Sequence, residues 1–329
     1  MFSLKSSLWL VALLPSLAFT APNVSVELIH EFPIGTFIEN LVVRPSGSVL
    51  AIDFSAPNIF EVPITPNATA TLIHTFQNAT GVASIAESWE EPDVYFAVTG
   101  TFSFETFTPE NRSYAIHRLE FDACGKPTVT ELAPLSTMIM PNGMITIPET
   151  PYLLIPDSLA GIVYRFDTEK LLLTTYLDDP LLKPVGTSFR AGVNGIKLSR
   201  GYFYFSNTNQ EIVARIPVSG KDATLQGTPE IVATQTLADD FIVNDYNGDI
   251  FIAENGLNEL GFVGAKSNST IPETILGGGN STALFGPTAV RWAKGAEGRS
   301  LIVTDTGGIY QYVTGNLTKG GKINLVHLN

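Results

Sequence analysis

The sequence of 329 residues contains a single cysteine, Cys124, so no internal disulfide bond can form and the hydrophobic core must supply the stability. Cys124 lies in a turn-like stretch with no histidine near it in the sequence, which argues against a redox or nucleophilic role. Basic residues are also few. The 19 Lys and Arg against 32 Asp and Glu give a net charge of −13, which argues against nucleic acid and anionic membrane surfaces as partners.

Several signals of common enzyme classes are missing. The Gly-x-Ser-x-Gly motif is absent and no Ser-His-Asp order stands out, so a serine-hydrolase triad is not expected. The run Gly277-Gly278-Gly279 lacks a following Lys-Ser/Thr pair and therefore predicts a loop and not a phosphate-binding site. Beyond the N-terminus, no segment has the roughly eighteen consecutive apolar residues that a membrane-spanning helix needs.

The N-terminal residues predict a secretory signal peptide. Lys5 precedes an apolar run at residues 8–14, and small residues follow near Ala18 and Ala21. We therefore expect residues 1–20 to be removed and residues 21–329 to form a single domain, in the secretory pathway or outside the cell. Seven Asn-x-Ser/Thr sequons support this compartment and predict a glycosylated surface. The sequons begin at Asn23, Asn67, Asn78, Asn111, Asn268, Asn280 and Asn316.

Short runs rich in Val, Ile, Phe, Tyr and Thr, bounded by Gly, Pro, Asn and Asp, predict a chain that is nearly all β. The runs repeat at intervals of about 40 to 60 residues, which predicts an all-β, six-bladed β-propeller with four-stranded antiparallel blades. The alternative fold, a two-sheet β-sandwich, predicts no such period. The six units begin at Glu39, Gly81, Asn142, Asn194, Asp240 and Pro287.

The repeat leaves three segments to assign. Residues 26–32 and 322–328 both look like a fourth strand, and one of these segments is expected to close the ring. Residues 309–312 are expected to form the third strand of the sixth unit. The long second unit contains a Phe- and Thr-rich insertion around residues 99–112, which forms either the wall or lid of a pocket or a glycosylated surface loop at Asn111.

Four of the six unit heads carry side-chain oxygens: Glu39 and Asp240 are acids, and Asn142 and Asn194 are amides. In a propeller the first strand of each blade lines the central channel, so these heads are expected to converge at one mouth of the channel. Two converging carboxylates need either a cation or a shared proton between them. The alternative is local, because Asn-Gly pairs are common turn signals and Asp240 could bond backbone amides at the start of a strand.

The chain resembles the six-bladed propellers of the gluconolactonase and senescence-marker-protein type, and most closely their secreted fungal branch. The metal-dependent lactonases of that family bind a divalent cation, often calcium, through matching Glu, Asn and Asp residues. The resemblance implies that Glu39, Asn194 and Asp240 bind the metal and that Asn142 assists, while blade 2 offers only Gly81. It spans the whole mature chain and rests on residues 35–40, 141–143, 157–158, 193–196 and 238–241.

The secreted fungal branch includes proteins similar to the hetero-Diels–Alderases of tropolone–sesquiterpene biosynthesis. Resemblance to them implies an enzyme that joins a small apolar terpene alkene to a polyketide-derived quinone methide in a channel pocket, with no obligatory cofactor. A second hypothesis is a calcium-dependent lactonase or esterase of the gluconolactonase type. A third is a propeller that binds a ligand and catalyses nothing. The 20 Phe, 10 Tyr and 3 Trp residues suit an apolar pocket and a propeller core equally well.

Overall fold

The computed structural model describes residues 21–329 except residues 105, 107, 123, 187–190 and 280. The predicted signal peptide at residues 1–20 and the sequon at Asn280 lie outside the described residues. The described chain is nearly all β and forms six antiparallel blades of four main strands, which confirms the predicted fold class. No helix in this part of the chain is long and apolar enough to cross a membrane.

In blades 1 to 5 the strands follow chain order from the channel outward. Blade 1 contains Ile38–Val43, Val49–Asp53, Asn58–Val62 and Thr71–Thr75. Blade 2 contains Gly81–Glu87, Val94–Gly100, Ala115–Phe121 and Pro127–Pro134. Blade 3 contains Ile145–Thr146, Tyr152–Asp157, Ile162–Asp167 and Leu172–Leu177. Blade 4 contains Val193–Ser199, Tyr202–Asn207, Ile212–Ser219 and Glu230–Thr234. Blade 5 contains Ala238–Val243, Ile250–Glu254, Glu259–Val263 and Glu273–Gly277.

Blade 6 closes the ring with strands from both ends of the chain. Its order from the channel outward is Pro287–Trp292, Ser300–Asp305, Lys322–Leu328 and Val24–Glu31. The N-terminal strand is therefore the outermost strand, and the C-terminal strand lies between it and the second strand. Because each terminal strand is paired with the other, neither leaves the blade incomplete, and the ring is held shut by backbone hydrogen bonds.

The prediction of a third strand at residues 309–312 is wrong, because these residues begin a short helix, Ile309–Thr314. Gly307 and Gly308 precede the helix with φ values of 78° and 111°, which turn the chain away from the second strand of blade 6. The chain returns to the blade only at Lys322–Leu328. The remaining short elements are a Phe102–Ser103 and Thr108–Pro109 hairpin, the strand Thr224–Leu225, and 3-10 turns at Pro180–Leu182 and Asn255–Leu257.

The hydrophobic core is divided into six layers, each between two neighbouring blades. One layer packs Leu50 of blade 1 against Tyr95 of blade 2, and another packs Phe251 of blade 5 against Leu301 of blade 6. The second strands are covered on both faces, so Val49–Asp53 and Ser300–Asp305 are buried along their whole lengths. This arrangement explains why the sequence shows continuous apolar runs where an exposed sheet would alternate.

Ring closure by the N-terminal strand can be tested with two neighbouring residues. Ile29 is 1% exposed and packs into the layer between blades 6 and 1, whereas Leu28 is 44% exposed. We expect Ile29→Ala to lower the free energy of unfolding by about 2–5 kcal/mol, as truncation of a buried Ile does. The control Leu28→Ala should cost less than about 1 kcal/mol. Urea denaturation followed by tryptophan fluorescence measures both, and equal losses would argue against closure by this strand.

Candidate functional site

The inner strands of the blades begin with irregular pairing that turns side chains toward the channel mouth. In blade 1, Ile38 pairs with Asp53, and the next regular pair is Leu41 with Ala51, so one extra residue lies between them. Similar register shifts occur at the start of the described inner strands of blades 2, 4, 5 and 6. A β-bulge of this kind re-aims a side chain and interrupts the ladder.

In three blades the strand register places the head of the unit at a different residue from the one that the sequence predicts. The residue that follows the pair before the bulge is Asp239 in blade 5, Thr288 in blade 6 and Ala83 in blade 2. These residues take the positions predicted for Asp240, Pro287 and Gly81. The sequence pattern counts residues evenly along each strand, so it cannot show where a bulge inserts one more. Glu39, Asn142 and Asn194 keep their predicted positions.

The corrected heads of blades 4 and 5 are in direct contact. The Asn194 side chain donates a hydrogen bond from Nδ2 to Asp239 Oδ1 at 2.6 Å. Asn255, which follows the second strand of blade 5, donates from Nδ2 to Asp239 Oδ2 at 2.8 Å. Gly143, the residue after Asn142, packs against blade 4, where an added Cβ atom would lie 3.3 Å from the backbone oxygen of Asn194.

Asp240 is held by two cations that the sequence reading missed. Lys197 Nζ forms an ion pair with Asp240 Oδ1, and Arg291 donates from a guanidinium nitrogen to Asp240 Oδ2. The three residues belong to the inner strands of blades 4, 5 and 6. The only sequence signal is that each cation interrupts an apolar strand, Ile-Lys-Leu at residues 196–198 and Val-Arg-Trp at residues 290–292.

The electrostatics of this ion-pair cluster separate Asp240 from the other acids. Burial alone raises the pKa of Asp240, but the charges of Arg291 and Lys197 outweigh it and hold the pKa below its usual value. Burial, with the charge of Arg291, lowers the pKa of Lys197 to about 8 although Asp240 opposes that change. Asp240 is therefore the acid in the cluster that stays ionised at neutral pH.

Glu39 and Asp239 form the opposite case. Burial raises the pKa of Asp239 to about 7, and the charge of Asp240 adds to this although two amide donors oppose it. Burial also raises the pKa of Glu39 well above its usual value, and the charges of Asp239 and Asp240 raise it further. The structure thus brings Glu39 and Asp239 close enough for their charges to interact, and one of the two carboxyls favours the protonated form near neutral pH.

The arrangement does not fit the divalent cation that the resemblance implies. Both oxygens of Asp240 already carry a cationic partner, and each oxygen of Asp239 accepts a hydrogen bond from an amide nitrogen. Lys197 and Arg291 would also repel a metal ion placed between them and Asp239. Among the described residues, no group of three or more His, Cys, Asp or Glu side chains could hold a metal ion.

An aromatic rim lies at the same end of the blades as the unit heads. It consists of Phe37, Phe54, Phe102 and Phe104, whose ring centroids lie 5.0–5.7 Å apart in five contacts. Phe37 precedes the inner strand of blade 1, and Phe54 follows its second strand. In an antiparallel blade these two points lie at the same end. The predicted insertion thus folds as a hairpin whose Phe102 and Phe104 pack beside the channel mouth.

Two of the open clefts in the described part of the chain are lined by residues other than Glu39, Asn194 and Asp240. One, of about 500 Å³, is lined by residues of blade 1 that include Asp53 and Phe60. The other, of about 590 Å³, lies at the opposite ends of blades 3 and 4.

The sequons that fall on described residues are accessible. Asn23, Asn67, Asn78, Asn111, Asn268 and Asn316 are all exposed. Their exposure is what glycosylation requires, and glycosylation itself stays a prediction.

No protein-family model matches the chain. Two curated relatives carry the name "Putative hetero-Diels-Alderase". The relative from a Phoma species is 23% identical over 320 residues, covering 88% of this chain and 86% of the relative. The relative from Sarocladium schorii is 23% identical over 328 residues, covering 88% of this chain and 78% of the relative. Among solved structures, a calcium-binding regucalcin from Agrobacterium tumefaciens matches with a TM-score of 0.63 and 16% identity, over 94% of this chain and 96% of that one. The resemblance expected from the sequence is confirmed.

The ion-pair cluster predicts a large stability cost for Asp240→Ala. The substitution leaves Lys197 and Arg291 without their common anion, and breaking a buried ion pair on one side costs about 3–5 kcal/mol. The control Asp178→Ala removes a surface partner of Lys183 that is 55% exposed, and should cost less than about 1 kcal/mol. Urea denaturation at pH 7 compares the two. A loss at Asp240 no greater than at Asp178 would contradict the arrangement.

The raised pKa values of Glu39 and Asp239 predict that stability falls as the pH rises. Between the unfolded pKa, near 4, and the raised folded pKa, the folded state holds protons that the unfolded chain has released. The stability that this pair contributes is therefore complete below the unfolded pKa. It is lost as the pH rises through the folded pKa of Asp239 at about 7. Glu254, raised to about 7, and Asp305, raised to about 6, act in the same direction.

Glu39→Gln is expected to reduce the slope of unfolding free energy against pH between pH 5 and 8, because an amide cannot release a proton. One proton corresponds to about 1.4 kcal/mol per pH unit at most. The exposed Glu90→Gln serves as the control and should leave the slope unchanged. An unchanged slope in Glu39→Gln would show that this carboxyl does not hold a proton in the folded state.

Proposed function

We propose that this protein is an enzyme that catalyses a hetero-Diels–Alder cycloaddition between a terpene alkene and a polyketide-derived quinone methide. The observation that carries the proposal is the similarity, over 88% of the chain, to two curated relatives named as hetero-Diels–Alderases, and the two substrate classes follow from the resemblance seen in the sequence. The predicted signal peptide and the sequons support a location in the secretory pathway or outside the cell as part of the same proposal.

The reaction needs two environments side by side. The alkene and the carbon skeleton of the quinone methide are apolar, while the carbonyl oxygen of the quinone methide gains electron density as the new carbon–oxygen bond forms. The addition forms one carbon–carbon and one carbon–oxygen bond from two π bonds, and it releases no atom. The aromatic rim and the polar unit heads at the same end of the blades supply these two environments.

The aromatic rim would hold the two reactants together. Holding two molecules in reacting geometry can be worth effective concentrations of about 10⁵–10⁸ M, which is enough to explain catalysis of a reaction that also occurs without enzyme. The donors near the centre would assist by binding the carbonyl oxygen. Lys197 and Arg291 each have N–H groups beyond those directed at Asp240, and a hydrogen bond to the oxygen makes the heterodiene more electron-poor.

The direct test uses purified mature protein, a terpene alkene and a precursor that releases the quinone methide in the assay. We expect a faster formation of the cycloadduct than in buffer and the enrichment of one stereoisomer. Chiral chromatography with mass detection measures both quantities. A yield and an isomer ratio equal to those with heat-inactivated protein would contradict the proposal.

Phe104→Ala tests the contribution of the aromatic rim. Removing a ring that contacts Phe37, Phe54 and Phe102 should lower kcat/KM about tenfold, since losing about 1.5 kcal/mol of apolar contact has that effect. Tyr246→Ala is the matched control, because Tyr246 is 81% exposed in a turn at the opposite end of blade 5. Equal activity in the two variants would place the reaction away from the rim.

A second candidate is the calcium-dependent lactonase, which the similarity to a calcium-binding regucalcin favours. If the protein is this lactonase, it hydrolyses a sugar lactone, and the hydrolysis stops when a chelator removes the calcium. The paired state of Asp240 argues against it. If neither reaction is catalysed, and a terpene or quinone ligand still raises the melting temperature, the third hypothesis of a ligand-binding propeller is the one that holds.

A further inference from the structure

Two cationic side chains of the protein, Lys197 and Arg291, lie at the centre of the channel. Lys197 is 7% exposed and Asp240 is 4% exposed, so this pair is almost completely removed from water. Arg291 completes the cluster with a side chain that is 17% exposed. Two cations thus face three acids, Asp240, Asp239 and Glu39, which all lie near one another. Burying that many charges is unfavourable unless they compensate each other.

The carboxylate of Asp240 occupies a space that Gly195 leaves open in blade 4. An added Cβ atom at Gly195 would lie 2.4 Å from Asp240 Oδ1 and 2.8 Å from Asp240 Cα. Only a glycine leaves room for Asp240 to approach blade 4 and meet Lys197. On the other side, Arg291 reaches the second oxygen from blade 6. The contacts therefore join three consecutive inner strands through one carboxylate.

A metal ion in a calcium-binding site also joins several structural elements, because it binds oxygen ligands from each of them and neutralises their charge. Here Asn194 and Asn255 turn their amide nitrogens toward Asp239, which is the orientation that stabilises a carboxylate without a metal ion. The ligand positions and the charge are thus both provided by the chain.

We propose that Lys197 and Arg291 replace a divalent cation at the centre of this propeller, so that the channel site is assembled and neutralised without metal. Conversely, removing the two cations frees both oxygens of Asp240 and leaves its charge uncompensated beside Asp239 and Glu39, so a divalent cation is expected to bind there in their place. This inference concerns the assembly of the site and does not depend on the cycloaddition, although it is incompatible with the calcium-dependent lactonase.

The first measurement uses the wild-type mature protein. Elemental analysis after dialysis should find far less than one calcium, magnesium or manganese per chain. Its melting temperature should change by less than about 1 °C in excess calcium chloride or excess EDTA, since a ligand that does not bind the folded state cannot stabilise it. About one metal ion per chain, or a lower melting temperature in EDTA, would overturn the proposal.

The second measurement uses the double variant Lys197→Met/Arg291→Met, which keeps the side-chain volume and removes both charges. Calcium ions should raise its melting temperature by about 5 °C at saturation and should leave the wild type unchanged. The control Lys170→Met/Arg118→Met removes the same groups from the surface ion pairs with Asp167 and Glu91, and calcium should not affect it.

Each outcome of the second measurement either supports or overturns the proposal. A double variant that is folded and indifferent to calcium overturns the proposal, because its acids then form no ligand set. A double variant that is unfolded without calcium and folded with it supports the proposal. If it is unfolded in both conditions, the single variant Arg291→Gln is used, and calcium must raise its melting temperature more than that of the wild type for the proposal to stand.

Discussion

Closure of the ring is the constraint on which the rest of the structure depends. Six blades can meet around one axis only if their inner strands all begin at the same end, so the first residues of those strands are forced together. The outer strand Val24–Glu31 maintains this arrangement by pairing with Lys322–Leu328 and completing blade 6. The polar character of the channel mouth therefore follows from where each inner strand begins and from the bulge that follows its first pair.

Convergence brings acids together, and the structure resolves the resulting repulsion in two ways. Asp240 stays ionised because Lys197 and Arg291 reach it from the neighbouring blades. Burial and the charge of the neighbouring acids raise the pKa values of Glu39 and Asp239, which form no ion pair with a described Lys or Arg, and a proton takes the place of a counterion. The channel mouth thus holds one acid that stays charged, Asp240, beside two carboxyls whose pKa values are raised, Glu39 and Asp239.

The sequence was sufficient for the fold and for the neighbourhood of the site, because both depend on patterns that repeat. Six apolar units with a common head predict six blades, and Glu39, Asn142 and Asn194 lie at the predicted position. The predictions that failed concern features that depend on a single inserted residue or on contacts between blades. A bulge moves the head of blade 5 to Asp239, and a strand-borne lysine such as Lys197 looks like any solvent-facing residue until its partner is known.

A calcium-binding propeller shares this fold, and the metal-free centre proposed for this chain depends on a difference between two neighbouring blades. In blade 4 the residue after the head Asn194 is Gly195, but in blade 5 the residue after Asp239 is Asp240, whose carboxylate enters the space beside Gly195. That extra acid demands a cation, and the inner strands supply two. In the centre proposed above, Lys197 and Arg291 would repel a metal ion, while their remaining N–H donors would be left for an uncharged substrate oxygen. Under the function proposed above, such a site would favour a substrate with an electron-poor carbonyl over one that needs a metal-bound water, and the aromatic rim next to it would favour an apolar substrate.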